Sequence, residues 1–171
     1  MRSDGLIVVG VDGSESARAA LEFALEEAAR WSARVRVVTA FHPLDYWPVA
    51  YGMASGMIAA PTNAQLTDDG ERTARQAVAD ATEGVGSAAR TVPVDVRVVQ
   101  GNPAMILVDD AAEADLLVVG HRGRGGIASA CLGSVGLHCV LHATCPVVVV
   151  RPAPAPAARA DTAAAAAPAR A

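Results

Sequence analysis

The stretch from Asp115 to Arg151, DLLVVGHRGRGGIASACLGSVGLHCVLHATCPVVVVR, decides how the rest of the chain is read. An apolar run, Leu116 to Val119, stops at Gly120. A glycine-rich loop then runs to Gly133-Ser134 and into a helical pattern, and a second apolar run follows at Val147 to Val150. The order is strand, loop, helix, strand. Glycine lets backbone N–H groups come close to an anion, and the start of a helix offers unpaired N–H groups at the positive end of its dipole. Phosphate is the natural guest of such a loop.

Working outward, Leu6-Ile7-Val8-Val9-Gly10-Val11 is a continuous apolar run of the kind buried on both faces of a parallel sheet. Asp12 closes it. Gly13-Ser14-Glu15-Ser16 makes a turn with a Ser N-cap, and Ala17, Ala20, Leu21, Ala24 and Ala28 recur at helical spacing to an end near Trp31. Val35, Val37 and Val38 form a second strand leading into a turn at Thr39-Ala40, with Pro43 marking a loop. From Leu44 to about Thr67 no period is sustained, and the segment reads as a long loop: a lid over a ligand, a surface packed on a neighbouring subunit, or plain disorder. A helix is expected from about Asp68, with acids in its first turn and Ala74, Ala77, Val78, Ala81 and Val85 on one stripe. Val94, Val96, Val98 and Val99 form the next strand, which Gln100-Gly101 closes. Asn102-Pro103 then opens another helix as N-cap and N1.

Strands and helices alternate five and four times, which predicts an α/β fold: one doubly wound parallel sheet with helices on both faces. The domain is expected over residues 1–151, with the Ala/Pro-rich residues 152–171 as a disordered tail that cannot build a core. Ligands of such sheets sit beyond the carboxyl ends of the strands where strand order reverses. Asp12, the Thr39-Ala40 turn, Gly101 and the loop from Gly120 onward would converge there. Asp12 could accept from a ribose hydroxyl or hold a divalent cation, Gly120, Gly123, Gly133 and Ser134 would wrap phosphates, and Arg122 and Arg124 could offset their charge.

Composition narrows the classes. A net charge of −4 over 171 residues gives no broad basic footprint for nucleic acid. No apolar stretch approaches the length that spans a bilayer, and no secretory h-region follows Met1, so a cytoplasmic protein without membrane partners is expected. Cys131, Cys139 and Cys145 are an odd count and read as free thiols. His138 and His142 share a helix face with these cysteines nearby, but the short paired spacing of structural zinc sites is missing, and ordinary helix and core residues are the preferred reading. A Walker loop is absent. Gly123-Arg124-Gly125-Gly126-Ile127-Ala128 matches G-x-G-x-x-A in form alone, because apolar Val147 to Val150 stand where a carboxylate should follow.

Gly120-x2-Gly123-x9-Gly133-Ser134 resembles the nucleotide loop of the universal stress protein family, in its ATP-binding branch. Ile7-Val8-Val9-Gly10-Val11-Asp12-Gly13-Ser14, Gly101-Asn102-Pro103-Ala104 and the close from His142 to Val150 resemble that family in order and spacing. The resemblance implies a five-stranded sheet in the order 3-2-1-4-5 and a homodimer joined through Val147–Val150, an edge whose exposed apolar strand is relieved by pairing. It also implies ATP at the strand ends, with Asp12 on ribose or Mg²⁺, backbone around Val38, Thr39 and Ala40 on adenine, and Gly120, Arg122, Gly123, Gly133, Ser134 and Val135 around the phosphates. One departure is Gly136, where a second hydroxyl residue is expected.

Three readings follow. The first is an ATP-binding stress-response module that regulates or signals through a protein partner still to be identified. The second is a slow, metal-dependent ATPase using Asp12. The third is a nucleotide-independent dimeric scaffold. No committed catalytic set is visible, since Asp12 is the one obvious carboxylate of the crevice and His121 a loop candidate.

Overall fold

The computed structural model describes residues 5–41, 62–123 and 132–152. The expectations for the Leu44 loop up to residue 61, for Arg124, for Cys131 and for the tail beyond residue 152 lie outside the described residues.

Five parallel strands form one sheet in the order β3-β2-β1-β4-β5. They are β1 (Leu6–Gly10), β2 (Arg34–Phe41), β3 (Val94–Gln100), β4 (Leu116–Gly120) and β5 (Val147–Val150). The helices are α1 (Glu15–Trp31), α2 (Asn63–Gly84), α3 (Pro103–Asp110) and α4 (Ser134–His142), with a 3-10 turn at Ala89–Thr91 before β3. This is the expected topology, with β1 central and the order reversing between β1 and β4.

The double winding is written in β1. Ile7 and Val9 face one core with Leu21, Leu25, Val35, Val37 and Val118, covered by α1 and α2. Leu6 and Val8 face the other with Val38, Leu107, Leu117, Val119 and Cys139, covered by α3 and α4. Successive strand residues point to opposite faces, so a strand buried on both must be apolar throughout. Burying one Val, Leu or Ile side chain contributes about 1.5–3 kcal/mol, and β1 and its neighbour β4 each bury four of them.

The helix ends are set locally. Ser14 caps α1, its Oγ accepting from the Ala17 N–H at 3.2 Å. Asn102 caps α3 through Oδ1, which accepts from Ala104 N–H at 2.9 Å, and Pro103 sits at N1. At the other end of α3, the buried Asp110 carboxylate accepts from Arg97 of β3 and lies 3.6 Å from Arg36 of β2, tying the helix to two strands.

Two expectations are corrected. Helix α2 begins at Asn63, five residues before Asp68, because Thr62 and Gln65 form a capping box: Thr62 Oγ1 accepts from Gln65 N–H at 3.3 Å and Gln65 Oε1 accepts from Thr62 N–H at 2.8 Å. Asp68 and Asp69 therefore lie in the second turn rather than the first, which carries no acid. Thr39 and Ala40 are not a turn. They continue β2, pairing with Val98 and Val99 of β3, and the strand runs on to Phe41.

Candidate functional site

Gly13 turns the chain from β1 into α1 at φ +81°, a conformation that side chains disfavour. This lets Asp12 Oδ1 accept from the Ser14 N–H at 2.9 Å, closing a tight turn above the carboxyl end of β1.

Against this turn lies the chain leaving β4, and the two run past each other in step. Gly120 packs on Ser16: a Cβ there would stand 2.7 Å from the Ser16 carbonyl carbon and 2.8 Å from its Cβ. The Ser16 hydroxyl is 3.0 Å from Nδ1 of His121. Ser14 Oγ donates to the Arg122 carbonyl at 3.4 Å. Gly123 ends the series, where a Cβ would stand 2.6 Å from Asp12 Oδ2. Residues 12 to 16 and 120 to 123 are thus zipped together, and glycine is required wherever backbone meets a side chain or another backbone at van der Waals range.

His121 is the hub of this junction. Its N–H donates to the Val150 carbonyl of β5 at 2.8 Å, and its own carbonyl accepts from the Gly133 N–H at 2.9 Å. The latter bond sets the start of α4 against the 120–123 turn. Partial burial, and then the charges of Arg122 and Arg151, lower the pKa of the imidazole below its ordinary value, so it is neutral at physiological pH.

Gly133 occupies the N-cap of α4 and supplies no side-chain hydrogen bond to the first turn. Ser134 and Val135 are the first two helical residues, Ser134 exposed and Val135 half-buried. An uncapped first turn presents amide hydrogens and the positive dipole end to whatever lies in front of it. Gly136, expected as a lost hydroxyl contact, has a packing reason: a Cβ there would meet Leu132 Cδ1 at 2.8 Å.

The other expected positions fall at the same end of the sheet. Gly101 follows β3, and its N–H donates to the Phe41 carbonyl at 2.9 Å. The Val38 carbonyl accepts from the Val11 N–H at 2.9 Å, so this group is already engaged in the sheet. Strand backbone groups alternate sides, so the N–H and C=O of Ala40 face the β1 side, above the point where β1 has ended. Those of Thr39 belong to the β3 side. The Thr39 hydroxyl is buried without a hydrogen-bond partner among the described residues, an orphan that calls for water or a ligand.

A cleft of about 480 Å³ opens beside the Gly13-Ser14 turn, between α1 and α2, with Val11 and Ala77 among its apolar lining and Arg18 and Arg72 among its polar residues. It shares the turn but none of the glycine-loop residues, so it neighbours the junction rather than containing it. Among the described residues no group of three or more His, Cys, Asp or Glu converges on a metal position. No helix among them is long and apolar enough to cross a membrane.

The structure brings Asp12, Gly120, Gly123 and Gly133 to one junction, with Ser14 and Ser16, which sequence reasoning missed, as their partners. Their signal was weak, since Ser14 reads as a helix cap and Ser16 as an ordinary first-turn residue.

Fold and junction together define a doubly wound α/β domain with a glycine loop at its switch point. Within that class the chain belongs to the universal stress protein family, whose family model matches residues 6–151. It is similar to the universal stress protein Rv2028c of Mycobacterium tuberculosis, at 35% identity over 146 residues, 85% of this chain and 48% of that protein. The chain spans about half the length of the curated relatives it matches. Among solved structures it is similar to the universal stress protein UspA from Lactobacillus plantarum, with a TM-score of 0.63 and 23% identity, over 86% of this chain and 97% of that one. A universal stress protein in complex with cAMP superposes with a TM-score of 0.56 and 29% identity, over 88% and 98% of the two chains.

Proposed function

We propose that this chain binds an adenine nucleotide, ATP, at the carboxyl ends of its strands and acts in the cytoplasm as a regulatory or signalling module of the stress response, through a protein partner still to be identified. The observation that carries the reading is the uncapped first turn of α4, held by the Gly133–His121 bond against the Gly120–Gly123 turn. Backbone amides converging from a glycine turn and a helix N-terminus make an anion cradle. The cAMP complex of a relative supports a nucleotide rather than a bare anion.

The residues fit the group. Gly120, Arg122, Gly123, Gly133, Ser134 and Val135 would surround the phosphates, and a side chain at Gly123 would fill the cradle against Asp12. The adenine edge would meet the backbone of Ala40, with the orphaned Thr39 hydroxyl and Gly101 at the same rim. Asp12 would serve the ribose or a phosphate-bound Mg²⁺, which would supply charge neutralisation.

The strand β5 is half-exposed at all four residues, Val147 to Val150, and lies at the edge of the sheet. An apolar edge of that kind is relieved by pairing with a second copy, and we include a homodimer through β5 in the reading. Light scattering at graded concentration tests it: a monomer throughout would remove the dimer from the proposal.

The nucleotide reading is tested by denaturing purified protein, identifying released nucleotide by chromatography, and titrating emptied protein with ATP and Mg²⁺ by calorimetry. Co-purified ATP, or binding near micromolar, about −8 kcal/mol, is expected. Folded protein that yields no nucleotide and no binding heat at several temperatures would return the chain to the scaffold reading.

A further inference from the structure

Helix α4 carries His138 and His142 four residues apart, and the structure brings their rings together, with centroids 4.3 Å apart and planes inclined at 40°. His142 is exposed and His138 half-buried. We propose that this pair is a binding site for one borderline divalent transition-metal ion, Cu²⁺, Ni²⁺ or Zn²⁺, held by one nitrogen of each imidazole with water in the remaining positions.

The geometry suits such an ion. Metal–imidazole bonds are about 2.0–2.1 Å, so two nitrogens on one tetrahedral or square ion stand roughly 2.9–3.4 Å apart. An imidazole nitrogen lies roughly 1.2 Å from its ring centre, and rotation about the broad χ2 torsion brings the two into that range from a centroid separation of 4.3 Å. Among the described residues no carboxylate or carbonyl is hydrogen-bonded to either ring's nitrogens. His138 is the middle residue of a nine-residue helix and His142 its last. There the backbone carbonyls give the dipole its negative end, which favours a cation.

The chemistry also says what kind of site this is. No third His, Cys, Asp or Glu joins the pair among the described residues, so one chain supplies two ligands and not the closed four of a structural zinc centre. Cys139 lies between the two histidines in sequence but is fully buried in the core beneath α4, away from the exposed ring of His142. Two imidazoles without carboxylates select the later first-row ions, with Cu²⁺ held most tightly, over Mg²⁺ and Ca²⁺. The site is independent of the proposed nucleotide position, which lies at the opposite end of α4.

Tag-free, full-length protein titrated with Cu²⁺, Ni²⁺ and Zn²⁺ alone should bind one ion per chain, tightest for Cu²⁺, with Mg²⁺ giving no heat. His142→Ala and His138→Ala should each weaken that event at least about tenfold, since either removes the chelate. The double variant should be little worse than either single. Electron paramagnetic resonance of the Cu²⁺ form should show two imidazole nitrogens, reduced to one in His142→Ala. Affinity and nitrogen count unchanged in both single variants, with circular dichroism showing native fold, would overturn the proposal and place the ion on other residues. Absence of stoichiometric binding in the wild type would overturn it outright.

Discussion

The hydroxyl of Ser16, on the first turn of α1, lies 3.0 Å from Nδ1 of His121, the residue that follows β4, across 105 positions of sequence. Ser16 is 6% exposed and His121 is half-buried, so the bond is partly shielded from water. Through it the first helix holds the residue whose backbone bonds both β5 and the start of α4.

Removing that hydroxyl should loosen the junction without unfolding the chain. Ser16→Ala is expected to cost about 1 kcal/mol, the usual net worth of one buried hydrogen bond, read from the midpoint of a urea titration. A variant as stable as wild type would show that His121 finds another partner.

The lowered pKa of His121 has a signed consequence. Well above pH 6.5 its imidazole is neutral both folded and unfolded. As the pH falls below that value the unfolded chain takes up the proton first, so stability declines until the folded imidazole is protonated as well. His121→Asn can keep a hydrogen bond to Ser16 but cannot titrate. Between pH 7.5 and 5.5 the wild type should lose more melting temperature than His121→Asn, and equal losses would contradict the argument.

Two glycines of the junction should fail differently. Gly120→Ala places a methyl 2.7–2.8 Å from the Ser16 backbone, which can yield only by moving α1, and should cost about 1–3 kcal/mol of stability. Gly123→Ala meets the Asp12 carboxylate at 2.6 Å on an exposed turn. Its main effect should be on ATP affinity, weakened by about tenfold or 1.4 kcal/mol, with the unfolding midpoint little changed. Calorimetry and urea unfolding on both variants separate the two outcomes.

Gly136 should be replaceable once its neighbour makes room. Gly136→Ser puts Cβ 2.8 Å from Leu132 Cδ1, the far end of a side chain, and should destabilise by about 1 kcal/mol or more. Combined with Leu132→Ala the penalty should shrink, giving a coupling energy of about 0.5 kcal/mol or larger in a double-mutant cycle. Strict additivity would rule out the contact as the cause.

The thiol of Cys139 should be inert while the chain is folded. Burial pushes its pKa up to about 11, and the residue has no exposed surface, so at pH 8 it is almost wholly thiol. Cys145 is raised by burial too, though it is only half-buried. Alkylation followed by site-resolved mass spectrometry should find Cys139 unmodified in native protein and modified in denaturant; rapid native labelling would show that α4 opens.

The sequence by itself determined the element types, because a strand buried on both faces must be apolar throughout and a helix must repeat its small residues at 3.6. Leu6 to Val11, Ala17 to Ala28 and Asn102-Pro103 could be read that way without any fold in mind. It also marked the glycines of the loop, but not why each is glycine. The early start of α2 is written in Thr62 and Gln65, but the apolar stripe that marks a helix by its period begins later. The strand order came from family resemblance, not from periodicity. What only the tertiary structure decided are the contacts between distant segments: Gly120 against Ser16, Gly123 against Asp12, Gly136 against Leu132, and the paired rings of His138 and His142. Spacing places residues on a face, but whether two surfaces touch depends on how the strands pair and how the helices pack, and those are properties of the whole sheet.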